Sequence, residues 1–151
     1  MGTRSLTYVY DERDIKKALV CMYRQYDGQL ESHGLELAKF LKPICIVNGI
    51  DDDTPMFAAN GAGCLAAQLV AHFKTDNPKT EIGNIYLMPA ENELDAGQDY
   101  TYRIYAGLED QIEIAAFHHP WCAPDKELFR GTPKQFLDFI TGKEKTYGTC
   151  A

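Results

Sequence analysis

Hydrophobic and polar side chains alternate near the start of the chain. Leu6, Tyr8 and Tyr10 are each separated by one residue within residues 5–10. Because side chains on a strand point alternately to the two faces of a sheet, this spacing predicts a β-strand. Residues 17–26 are a second stretch rich in β-forming residues, and the polar turn between the two stretches predicts a hairpin.

Three later segments have helical signals. Residues 30–41 and residues 63–73 each place their leucines and phenylalanines on one stripe of a helix. The third helix has a clear start. Thr132 is placed to cap it, Pro133 suits its first position, and Gln135 completes a capping box.

Four short apolar segments are predicted to be further strands, and they cover residues 44–47, 84–88, 100–106 and 111–118. The resulting element order is ββαβαβββα, which lacks regular βαβ alternation. The sequence therefore predicts one α+β domain over residues 1–151, with a mainly antiparallel sheet of about six strands and three helices. We expect the last three strands to form an antiparallel meander.

Charge and cysteine content narrow the functional classes. The 151 residues carry a formal net charge of −7, whereas nonspecific binding to duplex nucleic acid requires a basic surface, so we expect no such binding. No apolar run approaches the roughly 20 residues that cross a bilayer, and no secretory signal is recognisable, so we expect no membrane association. Five cysteines without a CxxC pair are typical of a reduced protein, which predicts a cytoplasmic location.

The first candidate site is the start of the second helix. Its residues are Asn60, Gly61, Ala62, Gly63 and Cys64. Unpaired amides and the helix dipole attract anions at such a start, and the glycines would let a phosphate approach the backbone. The spacing matches neither a P-loop nor a dinucleotide fingerprint, and a plain glycine turn is the alternative interpretation.

The second candidate site surrounds the predicted hairpin. Arg24 and Tyr26 lie two residues apart and are predicted to share a face of the second strand, while His33 follows on the next helix. Arg4 precedes the first strand and should reach the same end of the sheet. We expect these side chains to join residues 60–64 in one anion pocket, although ion pairs with nearby carboxylates are an alternative role for the arginines.

Other reactive residues give weaker patterns. Cys64 would need a base within reach, which only His33 from another helix could supply, and a packed apolar thiol is the alternative. The neighbouring His118 and His119 point to opposite faces of a strand and are poorly placed to bind one metal ion. Residues 51–53 are three aspartates without EF-hand spacing. We therefore expect no cofactor, no metal site and no complete catalytic set.

Three segments and one glycine resemble a known group of proteins. Residues 1–6 (Met-Gly-Thr-Arg-Ser-Leu), residues 23–28 (Tyr-Arg-Gln-Tyr-Asp-Gly) and Gly34 are similar to small phage and prophage proteins that begin Met-Gly-Thr-Arg and carry an aromatic-Asp-Gly motif. Residues 60–74 resemble the longer members, whereas Gln29-Leu30 stands where many relatives have aromatic-Pro. The resemblance implies a phage-type accessory protein in a bacterial host, with a host-interaction or counter-defence role, and assigns no catalytic residue.

Three functions are compatible with these observations. The first is a non-enzymatic protein that binds a small anionic ligand, such as a nucleotide signal that it sequesters. The second is an acidic inhibitor of a host protein, which would use the acidic clusters at residues 51–53 and 91–99. The third is a hydrolase or transferase with Cys64 or His33 as its reactive group. A homodimer is compatible with all three, because symmetric oligomers are common.

Overall fold

The computed structural model of the protein describes residues 2–75, 83–91, 94–107 and 111–149, with the side chains of the last helix described to residue 142. The helices are α1 (Leu35–Leu41), α2 (Gly61–Thr75) and α3 (Pro133–Thr149). The strands are β1 (Ser5–Asp11), β2 (Val20–Arg24), β3 (Cys45–Val47), β4 (Ala58–Asn60), β5 (Ile85–Met88), β6 (Tyr100–Ala106), β7 (Ile112–His118) and β8 (Lys126–Gly131). This arrangement confirms the predicted α+β class, and the predicted elements occur in the predicted order.

Six strands form the main sheet in the order β5-β2-β1-β6-β7-β8. All neighbouring pairs are antiparallel except β1 and β6, which run parallel. The predicted meander of the last three strands was wrong in part, because β5 pairs with β2 and only β6 and β7 are neighbours. Strands β3 and β4 form a separate parallel pair beside α2.

Two strands were not predicted, and both lack the usual strand signals. β4 is only three residues long and reads Ala-Ala-Asn. β8 lies at the edge of the sheet and is exposed or half-buried throughout, so it carries no strong hydrophobic alternation.

The sheet has a different cover on each face. Val9, Met22 and Ile104 belong to the larger core, which the sheet shares with the helices through residues such as Leu65 and Phe136. Leu6, Tyr8, Tyr10, Cys21 and Tyr23 point to the opposite face and form a smaller cluster. Leu94 and Ala96, from the connection between β5 and β6, pack against this second cluster. The second face is therefore covered by loops and remains partly open.

The local helix signals are confirmed with one modification. A π-helical turn at Leu30–Gly34 precedes α1, within the region predicted as one helix. The capping box of α3 is present, since Gln135 N donates to Thr132 Oγ1 at 3.2 Å and Thr132 N donates to Gln135 Oε1 at 2.9 Å. Within the described residues, none of the helices combines the length and apolarity needed to cross a membrane.

Candidate functional site

A polar cleft opens on the loop-covered face of the sheet, and we call it the Thr101 cleft. It has a volume of about 530 Å³. Its walls are formed by Tyr8 of β1, Thr101 and Arg103 of β6, the loop residues Leu94, Asp95 and Gln98, and His119 and Asp125 from the connection between β7 and β8.

The strand register explains why these side chains meet. Thr101 and Arg103 are two residues apart on β6 and therefore point to the same face. Tyr8 lies beside Arg103 in the parallel β1–β6 pair. His119 directly follows β7 and Asp125 directly precedes β8, so the short connection between these strands delivers both to the same edge of the cleft.

Three side chains in the cleft form a hydrogen-bonded chain. Thr101 Oγ1 lies 2.6 Å from His119 Nε2, and His119 Nδ1 lies 2.8 Å from Asp125 Oδ1. Because a carboxylate accepts hydrogen bonds, Asp125 holds the proton of the neutral imidazole on Nδ1. His119 Nε2 is then the acceptor for the hydroxyl proton of Thr101. This is the hydrogen-bond pattern of a base that faces a hydroxyl group.

Arg103 supplies a fixed positive charge to the cleft. Its guanidinium carbon lies 5.2 Å from the ring centre of Tyr8 and 5.8 Å from those of Tyr10 and Phe117. Its Nη1 also donates to the hydroxyl of Tyr10. Burial raises the pKa of Tyr10 to about 12, although the charge of Arg103 opposes the shift, so Tyr10 stays a neutral partner. The faces of aromatic rings attract such a cation and hold it in place.

The loop that closes one side of the cleft is braced by its own hydrogen bonds. Gln98 Oε1 accepts from Ala96 N at 2.9 Å, and Gln98 Nε2 donates to Leu94 O at 3.1 Å. Asp95 Oδ1 accepts from Gly97 N at 3.0 Å. The backbone of Asp99 is tied to Arg4 O at 2.9 Å, which anchors the loop to the start of β1.

The structure brings Arg24 and His33 together, but in the interior of the protein. Arg24 is 8% exposed and His33 is fully buried. Arg24 Nε donates to Tyr26 O at 2.7 Å, and its Nη1 lies 2.8 Å from Glu36 Oε2 and 3.0 Å from His33 Nδ1. Ion pairing with a nearby carboxylate, the alternative interpretation of the sequence, describes Arg24 better than ligand binding.

His33 is held as a neutral acceptor. A guanidinium only donates, so His33 Nδ1 accepts from Arg24, and Nε2 carries the proton that it donates to Thr7 Oγ1 at 2.8 Å. Burial, and secondly the charge of Arg24, hold the pKa of His33 well below its usual value. An imidazole with this tautomer cannot take a proton from Thr7, and it has no solvent access.

Arg4 and Tyr26 lie at the same end of the sheet as Arg24. Ser5 pairs with Arg24, as the predicted hairpin requires, so Arg4 lies near the end of β2. Its guanidinium extends to Gly97, since Nη1 lies 3.1 Å from the position that a Cβ on Gly97 would occupy. Tyr26 is 51% exposed, and its carbonyl accepts a hydrogen bond from Arg24 Nε.

The predicted union of the arginines with the start of α2 was wrong. Gly61 and Ala62 line a separate cavity of about 200 Å³ beside Asp11, the last residue of β1. Arg24 pairs with Ser5, the first residue of β1. Six residue steps separate the two ends, which is roughly 20 Å along a strand. The hairpin returns the chain to the start of β1, whereas α2 begins at its end.

The remaining residues at the start of α2 have local structural roles. Asn60 Oδ1 accepts from Gly49 N at 2.8 Å, and Gly61 has a positive φ of 80° that only glycine adopts without strain. A Cβ added to Gly63 would meet no neighbouring atom within 4 Å, and Cys64 packs against the larger core. A cation near this helix start is Arg13, which is paired with Asp11 at 2.6 Å.

Sequence reasoning missed the cleft because its parts are distant in the chain. Thr101 and Arg103 were predicted only as part of a strand, and His119 was considered only as a metal ligand beside His118. The spacing of Thr101 and Arg103, two residues apart on a predicted strand, does indicate that their side chains share a face of the sheet. Asp125 gave no signal, because its contact with His119 depends on how the connection between β7 and β8 folds.

Comparison with known protein families, with curated proteins and with solved structures finds no match for this chain. Among the described residues, no three His, Cys, Asp or Glu side chains converge on a position suited to a metal ion. The function therefore has to be argued from the chemistry of the Thr101 cleft.

Proposed function

We propose that this protein binds a small anionic ligand in the Thr101 cleft, with the negative group of the ligand placed at Arg103. The observation that supports this most is the position of the guanidinium, which lines the cleft and is held against the rings of Tyr8, Tyr10 and Phe117. A guanidinium has five donors in one plane and suits phosphate and carboxylate groups.

The size and lining of the cleft favour a nucleotide over a simple inorganic ion. A volume of about 530 Å³ lies within the range of roughly 300–1,000 Å³ that is usual for small-molecule sites. The second Nε2 hydrogen of Gln98 and the acceptor lone pairs of the Thr101 hydroxyl remain for a sugar or base. Trp121 is 93% exposed and belongs to the same connection between β7 and β8 as His119 and Asp125, and we propose that its ring stacks on the base of the ligand.

The biological role that we propose is sequestration of a nucleotide signal by a phage-type accessory protein. The support for this part is the resemblance of residues 1–6 and 23–28 to small phage and prophage proteins. In this proposal the guanidinium binds the phosphate and the aromatic ring stacks on the base. The cytoplasm of a bacterial host is the proposed location.

A fluorescence titration tests the proposed ligand site. Trp121 is the single tryptophan of the chain and lies in the connection that carries His119 and Asp125, so we expect its emission to change when a ligand enters the cleft. We expect saturable changes with nucleotides, a weaker response to inorganic phosphate, and at least a tenfold loss of affinity in Arg103→Met. Arg130→Met is the matched control, because Arg130 pairs with Glu113 and Glu127 on the exposed surface. No response to any anion by the folded protein rejects the proposal.

A second candidate function has one observation in its favour. Residues 51–53 are exposed aspartates, and the neighbouring side chains of Ile50, Met56 and Phe57 are 75%, 90% and 59% exposed. An apolar patch beside acidic residues suits a partner protein with a basic rim around an apolar pocket. The acidic cluster at residues 91–99 lies partly outside the described residues. An inhibitor of this kind should lose a salt-sensitive complex when residues 51–53 are changed to Asn, and Met56→Ser should weaken it further.

A further inference from the structure

We propose that Thr101 is a nucleophile, with His119 as its general base and Asp125 as a positioning residue, and that it cleaves small anionic esters. This inference rests on the proposed ligand site, because the ester would occupy the same cleft. It differs from the enzyme hypothesis based on Cys64 or His33, neither of which lines the Thr101 cleft.

The distances match those of an activated hydroxyl nucleophile. A nucleophile and its base have to lie within roughly 2.6–3.2 Å, and a third group has to orient the base. Thr101 Oγ1 lies 2.6 Å from His119 Nε2, and Asp125 Oδ1 lies 2.8 Å from His119 Nδ1. Asp125 therefore fixes the tautomer that leaves Nε2 ready to accept a proton from Thr101.

A second threonine–histidine pair in the protein can be compared with Thr101 and His119. Thr7 Oγ1 also lies 2.8 Å from a histidine, His33 Nε2, on the helix-covered face of the sheet. Both residues of that pair are fully buried, and Arg24 donates to Nδ1 of His33, which leaves the proton on Nε2. In the Thr7 pair, Nε2 of the histidine carries a proton and cannot accept one from the hydroxyl, and no substrate can reach the pair. In the Thr101 pair, Nε2 of the histidine is unprotonated and the pair lines a cleft.

The cleft controls access to the hydroxyl group. Thr101 is only 3% exposed, whereas the side chains of His119 and Asp125 are 23% and 67% exposed. A substrate has to enter the cleft to reach Thr101. Arg103 lies two positions further along the same face of β6, at a distance of about 7 Å along the strand, and is placed to bind an anionic group of the substrate.

Each step of the reaction balances with water as the second substrate. Thr101 Oγ attacks the ester carbon and forms a C–O bond, and its proton moves to His119 Nε2. The bond to the alcohol then breaks, and His119 gives the proton to the departing alcohol. Water then attacks the acyl-threonine, with His119 accepting a water proton. The acyl–Thr101 bond breaks, the acid leaves, and the proton returns to Thr101.

A fluorophosphonate probe tests the nucleophile without a known substrate. The hydroxyl oxygen forms a bond to phosphorus, fluoride leaves, and the hydroxyl proton passes through His119 to solvent. Mass spectrometry of the digested protein should place one adduct on Thr101 and none on Thr7. Thr101→Ser should keep the adduct at position 101, and Thr101→Val should abolish it. His119→Gln should slow labelling at least tenfold at an unchanged melting temperature, and Asp125→Asn should also slow it.

A second readout uses the mono-p-nitrophenyl ester of succinate, with p-nitrophenyl acetate as the neutral comparison. We expect faster hydrolysis of the anionic ester and loss of this preference in Arg103→Met, with Arg130→Met unchanged.

The outcomes separate this inference from the proposed ligand site. One outcome is that Trp121 fluorescence detects nucleotide binding, while Thr101 stays unlabelled and no ester is hydrolysed. This outcome overturns the assignment of Thr101 as a nucleophile and leaves the proposed ligand site in place. Labelling at Thr101 without nucleotide binding supports the nucleophile and rejects the nucleotide. An adduct at another residue, or labelling that does not depend on His119, overturns the inference.

Discussion

Arg24 Nη1 lies 3.0 Å from Nδ1 of the fully buried His33. Since a guanidinium only donates hydrogen bonds, this contact requires an unprotonated Nδ1 and therefore a neutral imidazole. Protonation of His33 would place two positive groups in contact inside the core. This contact therefore gives Arg24 and His33 a role in the stability of the folded protein and not in ligand binding.

The first prediction concerns the pH dependence of stability. The pKa of His33 is well below 6.5 in the folded protein, so the unfolded chain binds a proton that the folded one does not. The free energy of unfolding should therefore be highest above about pH 6.5 and should fall as the pH is lowered towards the folded pKa. Urea denaturation from pH 8 to pH 5 measures this effect.

His33→Gln is the informative variant for this prediction, because its amide can accept from Arg24 and does not titrate. We expect lower stability at pH 8 but a flatter pH dependence than in the wild-type protein. His118→Gln is the matched histidine-to-glutamine control, since His118 is half-buried beside Tyr100 and not fully buried like His33. An identical slope in His33→Gln and the wild type contradicts the assignment.

The second prediction separates the structural role of Arg24 from ligand binding. Arg24→Met leaves the buried Nδ1 of His33 and the carbonyl of Tyr26 without their donor, and it should lower the free energy of unfolding by about 3 kcal/mol. Arg13→Met should change stability little, because Arg13 pairs with Asp11 at the exposed surface. At a temperature where Arg24→Met is folded, its nucleotide titration should match the wild type. A selective loss of binding would return Arg24 to the ligand site.

The third prediction compares alanine substitutions at two glycines whose surroundings differ in the folded protein. A Cβ on Gly28 would lie 2.8 Å from Ser5 Cβ and 2.9 Å from the carbonyl carbon of Arg4, so Gly28→Ala should cost about 1–3 kcal/mol. Gly63 lies in α2 with no neighbouring atom within 4 Å of the added group. Gly63→Ala should stabilise the protein by about 0.5–1 kcal/mol. Thermal unfolding of both variants provides the comparison.

How far the sequence predicted the fold depends on how local each signal is. The capping box at Thr132 and the hairpin register that pairs Ser5 with Arg24 follow from neighbouring residues, and both are confirmed. The parallel pairing of β1 with β6 joins residues about 95 positions apart, and no local pattern specifies it. The same pairing builds the Thr101 cleft, because it places Tyr8 beside Arg103.

The predicted anion pocket, which joined the arginines to the start of α2, was wrong for a related reason. The sequence predicted that Arg4 lies near Arg24 at one end of the hairpin, and the pairing of Ser5 with Arg24 agrees with this. It could not indicate that α1 covers Arg24, or that α2 begins at the opposite end of β1. The residue types that bind a ligand also form hydrogen-bonded networks inside a protein. Burial distinguishes the two roles, and burial depends on the tertiary structure.

The fourth prediction concerns the cap of α3. Thr132→Ala removes the hydroxyl that accepts from Gln135 N and should lower the free energy of unfolding by about 1 kcal/mol. Thr141→Ala is the matched control, since the hydroxyl of Thr141 donates to Leu137 O within the helix. That change should be neutral or slightly stabilising, because alanine has the higher helix propensity. Chemical denaturation of the two threonine variants measures the difference.

The location of the ligand is the central claim, and amide chemical shifts measured during a nucleotide titration test it most directly. We predict that the saturating shift changes concentrate at residues 94–103 and 117–125, with a large change for the indole of Trp121. The amides of residues 60–64 should change little. Saturating changes that centre on residues 60–64 and spare Thr101, Arg103 and His119 would contradict the account.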